Sequence, residues 1–229
     1  MPCLSTTSYW GEYMLKDIKG VIFDLDGTLV DSMWVWRKID EDFILERNLP
    51  LTPEALMQSI AHLSFHETAE FFKNSFHLLD TVEEIKARWN EAAKREYRTN
   101  VFLKEGAREI LQKFQDSGVK IALATSSSRE ILEACLEAQD ITDFFDVVVT
   151  TDMAGKTKAE PDVYLLAAEL LGLPPESIAV FEDIPQAMFG ARKAGMKVFG
   201  VHDSFSEHHH EEIMRNCHVY IRSLNEVIF

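Results

Sequence analysis

The chain is poor in basic residues: 23 Lys and Arg residues stand against 38 Asp and Glu residues, and the formal net charge is −15. Surfaces that bind nucleic acid or anionic membranes depend on Lys and Arg. Neither kind of partner is therefore expected. A small phosphorylated metabolite held through a metal ion is compatible with this charge, because the metal supplies the positive charge that the side chains lack.

Cysteine is scarce, and long apolar runs are missing. The three cysteines, Cys3, Cys135 and Cys217, lie far apart and are odd in number, so neither a disulfide framework nor a zinc site is predicted. No apolar run approaches the length of a membrane span, and residues 1–13 lack the basic and apolar regions of a secretory signal. We expect a cytoplasmic protein, a disordered extension over 1–13 and, by default, a monomer.

Short apolar, β-branched runs recur along the rest of the chain, and helical patterns separate most of them. The first is "GVIFDL", and the others lie within 119–125, 144–151, 177–183, 196–201 and 217–221. Continuous apolar runs of this kind are typical of strands buried on both faces of a parallel sheet. The alternation predicts an α/β fold, a doubly wound Rossmann-like parallel sheet.

Residues 33–100 break this rhythm, because they read as helix throughout and show no strand pattern. Helix starts are indicated at Thr52 and Thr81. A helical insertion at this place predicts a small cap domain over the carboxyl ends of the strands, where such sheets bind ligands. Residues 14–32 and 101–229 are then the catalytic core.

Polar groups stand where four of the predicted strands end. They are Asp24 and Asp26 after the first strand, Thr125 after the second, Lys156 and Lys158 after the third, and Glu182 and Asp183 after the fourth. Because parallel strands end at one edge of the sheet, acids, a hydroxyl and an ammonium group are expected to converge there.

This set of groups suits phosphoryl transfer. A carboxylate nucleophile can form an aspartyl-phosphate, and Mg²⁺ held by carboxylates and waters removes the repulsion between two anions. A second acid can protonate the leaving oxygen and later activate water. Plainer roles exist for single residues: Asp26-Gly27 is also a turn signal, and Asp183 could cap the next helix.

The segment "DLDGTLVDS" resembles the first motif of the haloacid dehalogenase superfamily, and the strand ends that follow match the order of its other motifs. The resemblance implies that Asp24 is the nucleophile and Asp26 the general acid/base. It also implies a Mg²⁺ site made by Asp24, the backbone carbonyl of Asp26 and Asp183, with Glu182 helping directly or through water.

The resemblance further implies that Thr125 and Lys158 hold the phosphoryl group. The lysine motif departs from the family pattern, because Ala159 replaces the usual first proline. Lys158 keeps its register with the following Pro-Asp pair and is the choice, with Lys156 as the fallback. Ile184 is a second departure, since small polar residues often follow the acidic pair.

The helical insertion resembles the small cap of the subfamily that includes phosphoglycolate phosphatase and β-phosphoglucomutase. Further candidates for substrate contact are Gly27, Thr28, Ser126, Trp36 and His66. Trp36 and His66 occupy the positions where such mutases carry a histidine and an arginine, and neither gives a phosphate the permanent charge of an arginine. We therefore favour hydrolysis of a phosphomonoester. A mutase is the alternative, and a non-enzymatic module that binds a phosphorylated metabolite comes third.

Overall fold

The structure is a computed structural model that describes residues 4–5, 15–52, 56 and 65–227. The chain folds as two compact units, one made of Met1–Ser32 with Val101–Phe229 and the other of Met33–Asn100. Most of segment 1–13, expected to be disordered, lies outside the described residues. So does most of the helix expected to start at Thr52.

The larger unit is built on a parallel sheet. Its strands are β1 (Leu4–Ser5), β2 (Gly20–Phe23), β3 (Lys120–Thr125), β4 (Val147–Thr150), β5 (Ile178–Glu182), β6 (Lys197–Val201) and β7 (Val219–Ile221). The order across the sheet is β1-β7-β6-β5-β2-β3-β4, with the two-residue β1 at one edge. The chain leaves β2 on one side to form β3 and β4 and returns on the other side as β5. The carboxyl end of β2 is thus the topological switch point, where doubly wound sheets bind ligands.

Helices connect these strands. They are α4 (Ala107–Asp116), α5 (Arg129–Ala138), α6 (Thr151–Ala154), α7 (Asp162–Leu171), α8 (Pro185–Lys193) and α9 (His210–Asn216), and the smaller unit contributes α1 (Trp34–Glu46), α2 (Phe65–Ser75) and α3 (Val82–Thr99). The segment after β4 begins with the short helix α6. Thr150 starts that helix because its hydroxyl accepts a bond from the Met153 N–H at 3.4 Å.

The two faces of the sheet carry different side chains, as the period of two along a strand requires. On one face Phe23, Phe181 and Phe199 stack in register, with ring centroids 4.6 and 4.8 Å apart. On the other face Ile22 and Val180 belong to a core that includes residues of α7 and α8. Asp24 and Glu182 come two residues after Ile22 and Val180, so they follow on the same face of the sheet.

The smaller unit has an aromatic core of its own. The rings of Phe43, Phe72 and Trp89 lie 5.2 to 5.5 Å from one another, mostly edge to face. Helix α3 begins at Thr81 in a capping box, in which the Thr81 hydroxyl and the Glu84 carboxylate each accept a bond from the other residue's N–H. None of the described helices is both long enough and apolar enough to cross a membrane.

Candidate active site

The loop that carries the first candidate residues leaves β2 at Asp24 and turns at once. Gly27 has a φ of +79°, and its N–H donates to the Val30 carbonyl at 3.0 Å. A Cβ at Gly27 would lie 2.5 Å from Asp183 Oδ2, so no larger residue fits. The Asp-Gly pair is therefore a turn and also brings the loop against the acids of β5.

Strand β5 supplies the acidic pair. The Asp24 N–H donates to the Phe181 carbonyl at 3.0 Å, which extends the β2–β5 pairing and sets Asp24 beside Glu182. Asp183 follows Glu182 but does not cap α8, because the helix begins at Pro185 after Ile184 with no side-chain cap. The structure therefore does not give Asp183 the alternative role of a helix cap.

Lys158 reaches this cluster from the loop before α7. Its Nζ contacts an oxygen of Asp24 and lies 2.6 Å from Glu182 Oε1. The Lys158 side chain is buried, whereas Lys156 is exposed. The structure therefore brings the first choice, and not the fallback, to the acids.

The cluster fits a divalent cation. One carboxylate oxygen from each of Asp24, Glu182 and Asp183 lies within 4.8 Å of the other two. Asp183 Oδ2 is buried and has no hydrogen-bond partner among the described residues, while Oδ1 accepts a long bond of 3.3 Å from Thr28. A buried carboxylate without a partner is costly, and hard cations such as Mg²⁺ and Ca²⁺ take oxygen ligands of this kind.

The ionisation of the cluster agrees with this fit. Burial and the charge of Glu182 raise the pKa of Asp24 well above its usual value, and burial and the charge of Asp24 do the same for Asp183. Burial lowers the pKa of Lys158, but the charges of Asp24 and Glu182 outweigh it, so the pKa is raised. Three acids share one ammonium group, and a cation would relieve their repulsion.

Asp26 is held by two hydroxyl groups. Ser32 donates to its Oδ1 at 2.6 Å, and Ser127 donates to its Oδ2 at 2.7 Å. Ser127 comes from the segment after β3 and looks like a helix cap in the sequence. Its hydroxyl instead bonds to the proposed acid/base, which sequence spacing does not reveal.

The remaining candidates of the larger unit are fixed in different ways. Thr125 is fully buried at the end of β3, and its hydroxyl oxygen accepts the Ser127 N–H at 3.0 Å. Thr28 is fully buried beside Asp183, and Ser126 is exposed. Substrate contact by Thr28 and Ser126 stays a prediction.

Trp36 and His66 belong to the smaller unit. Trp36 is half-buried on α1, with its ring 5.3 Å from that of Phe65. His66 is exposed on α2, with Nε2 3.6 Å from the Glu70 carboxylate. Substrate contact by either residue stays a prediction.

Two residues of the site were missed in the sequence. Lys104 Nζ donates to the Gly27 carbonyl at 2.6 Å, to the His202 carbonyl at 2.6 Å and to Asp203 Oδ2 at 2.9 Å, so it ties the first loop to the end of β6. Tyr164 donates its hydroxyl to Glu182 Oε1 at 3.1 Å. Burial and the charge of Glu182 raise the Tyr164 pKa, so the hydroxyl stays protonated. Neither residue stands in a motif that would have singled it out.

Comparison with known proteins identifies the family of this chain and related phosphatases. The family described as "Haloacid dehalogenase-like hydrolase" matches residues 21–201. A Thermotoga maritima protein named phosphorylated carbohydrates phosphatase is 32% identical over 196 residues, which cover 83% of this chain and 88% of that protein. Hexitol phosphatase A of Escherichia coli is 31% identical over 184 residues, 80% of this chain and 82% of that protein.

Solved structures agree on the architecture. A Thermotoga maritima crystal structure with the provisional name beta-phosphoglucomutase has a TM-score of 0.80 and 27% identity, covering 92% of this chain and 97% of the other. The CbbY protein of Rhodobacter sphaeroides, in complex with phosphate, has a TM-score of 0.77 and 22% identity, covering 92% and 96%. The expected Rossmann-like fold and the expected resemblance are confirmed.

Proposed function

The chain belongs to the haloacid dehalogenase-like hydrolase family, and from that premise we propose that it is a Mg²⁺-dependent phosphatase. The substrate is a small phosphomonoester, a sugar phosphate or a similar metabolite, and the reaction passes through an aspartyl-phosphate. The observation that carries the proposal is the convergence of Asp24, Lys158 and Asp183 at the switch point, with Asp183 Oδ2 left without a partner among the described residues. The relatives named as carbohydrate and hexitol phosphatases support the substrate class.

The first half of the reaction uses Asp24 and Asp26. A carboxylate oxygen of Asp24 attacks phosphorus, the bond from phosphorus to the leaving oxygen breaks, and Asp26 gives that oxygen its proton. Lys158 and Thr125 hold the phosphoryl oxygens, whose charge must be stabilised in the transition state. Bound Mg²⁺, held by Asp24, Asp183 and the Asp26 backbone carbonyl, would offset the repulsion between carboxylate and phosphate.

The second half uses water. Asp26, now a carboxylate, takes a proton from a water molecule whose oxygen attacks phosphorus, and the bond to Asp24 breaks. Inorganic phosphate leaves, and both aspartates return to their first state. The two serine hydroxyls on Asp26 aim it for both proton transfers.

The test is phosphate release from p-nitrophenyl phosphate and a panel of sugar phosphates, with and without Mg²⁺. Asp24→Asn should abolish Mg²⁺-dependent turnover and leave the fold intact, because the amide is a poor nucleophile. Asp152→Asn is the matched control, since Asp152 is an exposed acid of the same unit. Turnover retained by Asp24→Asn would reject the assignment. No turnover by the wild type on the whole panel, with Mg²⁺ bound, would favour the non-enzymatic module.

The mutase alternative rests on the structural relative with the provisional name beta-phosphoglucomutase. Mutases keep water out and hold a second phosphate, and here Trp36 and His66 stand at the positions that would do so. The Glu70 carboxylate lies 3.6 Å from His66 Nε2, and its negative charge would repel a phosphate bound at His66. Conversion of β-glucose 1-phosphate to glucose 6-phosphate, with a trace of bisphosphate and no net phosphate release, would reverse our choice.

The helical insertion, residues 33–100, is our proposed cap, and we assign the choice of substrate to it. Exchange of this segment for that of a relative with another substrate should change which phosphomonoester is hydrolysed. The expected cytoplasmic location and monomeric state stay predictions.

A further inference from the structure

A buried tyrosine lies behind the acid cluster. Tyr164 is on α7 and its side chain is fully buried. The helix packs on the face of the sheet that carries Ile22 and Val180, and the next residues of that face are Asp24 and Glu182. The Tyr164 hydroxyl therefore meets the Glu182 carboxylate, at 3.1 Å.

The Glu182 carboxylate accepts hydrogen bonds from three donors of the described residues. Its Oε1 accepts bonds from Tyr164 and from Lys158 Nζ at 2.6 Å, and its Oε2 accepts the Asp183 N–H at 3.2 Å. Asp183 differs, since its Oδ2 has no partner among the described residues. The two neighbouring acids thus differ in their surroundings. Asp183 has an oxygen that can bind a cation, and Glu182 is hydrogen-bonded to Lys158.

We infer that Tyr164 is a positioning residue: its hydroxyl fixes the rotation of the Glu182 carboxylate, and Glu182 in turn holds Lys158 Nζ beside Asp24. The inference rests on the proposed function, in which Lys158 holds the phosphoryl group. Without the hydroxyl, the lysine is the one donor that Oε1 keeps in the part of the chain that the structure describes, and the carboxylate can rotate toward the neighbouring acids. Lys158 then loses its fixed place, because its position depends on the same oxygen.

The test compares Tyr164→Phe with Tyr220→Phe. Phenylalanine keeps the buried ring and removes only the hydroxyl. Tyr220 is the matched control, because its hydroxyl also has a partner in the larger unit, His202 Nδ1 at 2.9 Å, but lies outside the acid cluster. We measure kcat and KM for p-nitrophenyl phosphate at saturating Mg²⁺, Tm, and the crystal structures of both variants.

Tyr164→Phe should lower kcat about tenfold, as expected for a lost bond to a charged group. KM should stay close to wild type, Tm should fall by a few degrees because a buried hydrogen bond is lost, and Tyr220→Phe should keep full kcat. In the Tyr164→Phe crystal structure the Glu182 carboxylate should be rotated and Lys158 Nζ displaced. A purely structural role would lower Tm and leave kcat at a given folded fraction unchanged.

An unchanged kcat in Tyr164→Phe would overturn the inference. If the wild type shows no phosphomonoester turnover, the proposed function fails, and the crystal structures alone decide the inference. Glu182 and Lys158 in their wild-type positions in Tyr164→Phe would then overturn it, and displacement of both would uphold it.

Discussion

Buried acids of this protein differ in whether a positive partner is present. Asp203 is buried and receives a bond from Lys104 at 2.9 Å. Asp183 is fully buried, and among the described residues its carboxylate has only the long bond from Thr28, on one of its two oxygens. Replacing Asp203 and replacing Asp183 should therefore change the stability of the protein in opposite directions.

Asp183→Asn should stabilise the metal-free protein, by about 1 kcal/mol, because a neutral amide is less costly to bury than an unpaired carboxylate. The same change should remove Mg²⁺-dependent turnover. Denaturant unfolding in EDTA measures the first effect, and phosphate release measures the second. Asp203→Asn is the control of opposite sign, and should lower the free energy of unfolding by about 2 kcal/mol, because the Lys104 ammonium loses its carboxylate partner and keeps the carbonyls of Gly27 and His202. Equal destabilisation by both changes would contradict this account.

The sequence predicts which groups of the site come together, since parallel strands end at one edge. It does not predict how each oxygen is occupied. Ser127 follows β3 in a run of serines that resembles a cap, yet its hydroxyl goes to Asp26. Tyr164 occupies a buried position of α7 like its apolar neighbours, and only the packing of α7 on the sheet makes its hydroxyl a partner of Glu182.

Helix α8 and the lysine loop are in direct backbone contact. A Cβ at Gly190 of α8 would lie 2.0 Å from the Lys158 carbonyl oxygen and 2.9 Å from that of Glu160. Lys193, on the same helix, forms an ion pair with Glu160 at 3.1 Å. Helix α8, which follows Asp183, therefore also fixes the position of the loop that carries Lys158.

Gly190→Ala should lower kcat by tenfold or more, because the added methyl group pushes the Lys158 backbone away from the acids. Helix propensity acts in the other direction, since alanine is favoured over glycine by up to about 1 kcal/mol. The overlap with a backbone oxygen outweighs this gain, so Tm should fall as well, and kcat is compared at equal concentration of folded protein. Gln186→Ala, at an exposed position of α8, is the control and should keep wild-type kcat. Wild-type kcat in Gly190→Ala would show that the loop adapts.

Elements with local signals were predictable and elements set by packing were not. Thr81 begins α3 with Glu84 three residues later, and the capping box forms as the sequence indicates. Gly190 gives no such signal, because a glycine inside a helical pattern reads as a weak point of the helix. Glycine is needed at position 190 because the Lys158 loop, 32 positions earlier in the chain, lies against α8 in the folded protein.

At the scale of the whole molecule, stability depends on the state of its acids. The net charge of −15 favours unfolding at neutral pH through general repulsion. Asp24 and Asp183 also lower the stability of the folded state at neutral pH, because burial and neighbouring acids raise their pKa values. Asp40 of the smaller unit has the same effect, since burial and the charge of Glu41 raise its pKa to about 7. The folded state thus keeps protons that unfolded carboxyl groups have already lost.

The metal-free protein should therefore become less stable as the pH rises above about 4, the ordinary pKa of an Asp carboxyl group. Mg²⁺ favours the ionised acids, so its stabilising effect should grow with pH, to about 2.7 kcal/mol at a hundred times its Kd. Thermal unfolding from pH 5 to 8, in EDTA and in MgCl2, measures both trends. NaCl at equal ionic strength separates general screening from binding, and Asp183→Asn should flatten the Mg²⁺ effect. A Mg²⁺ effect equal to that of NaCl, or independent of pH, would mean that the acid cluster does not bind the ion.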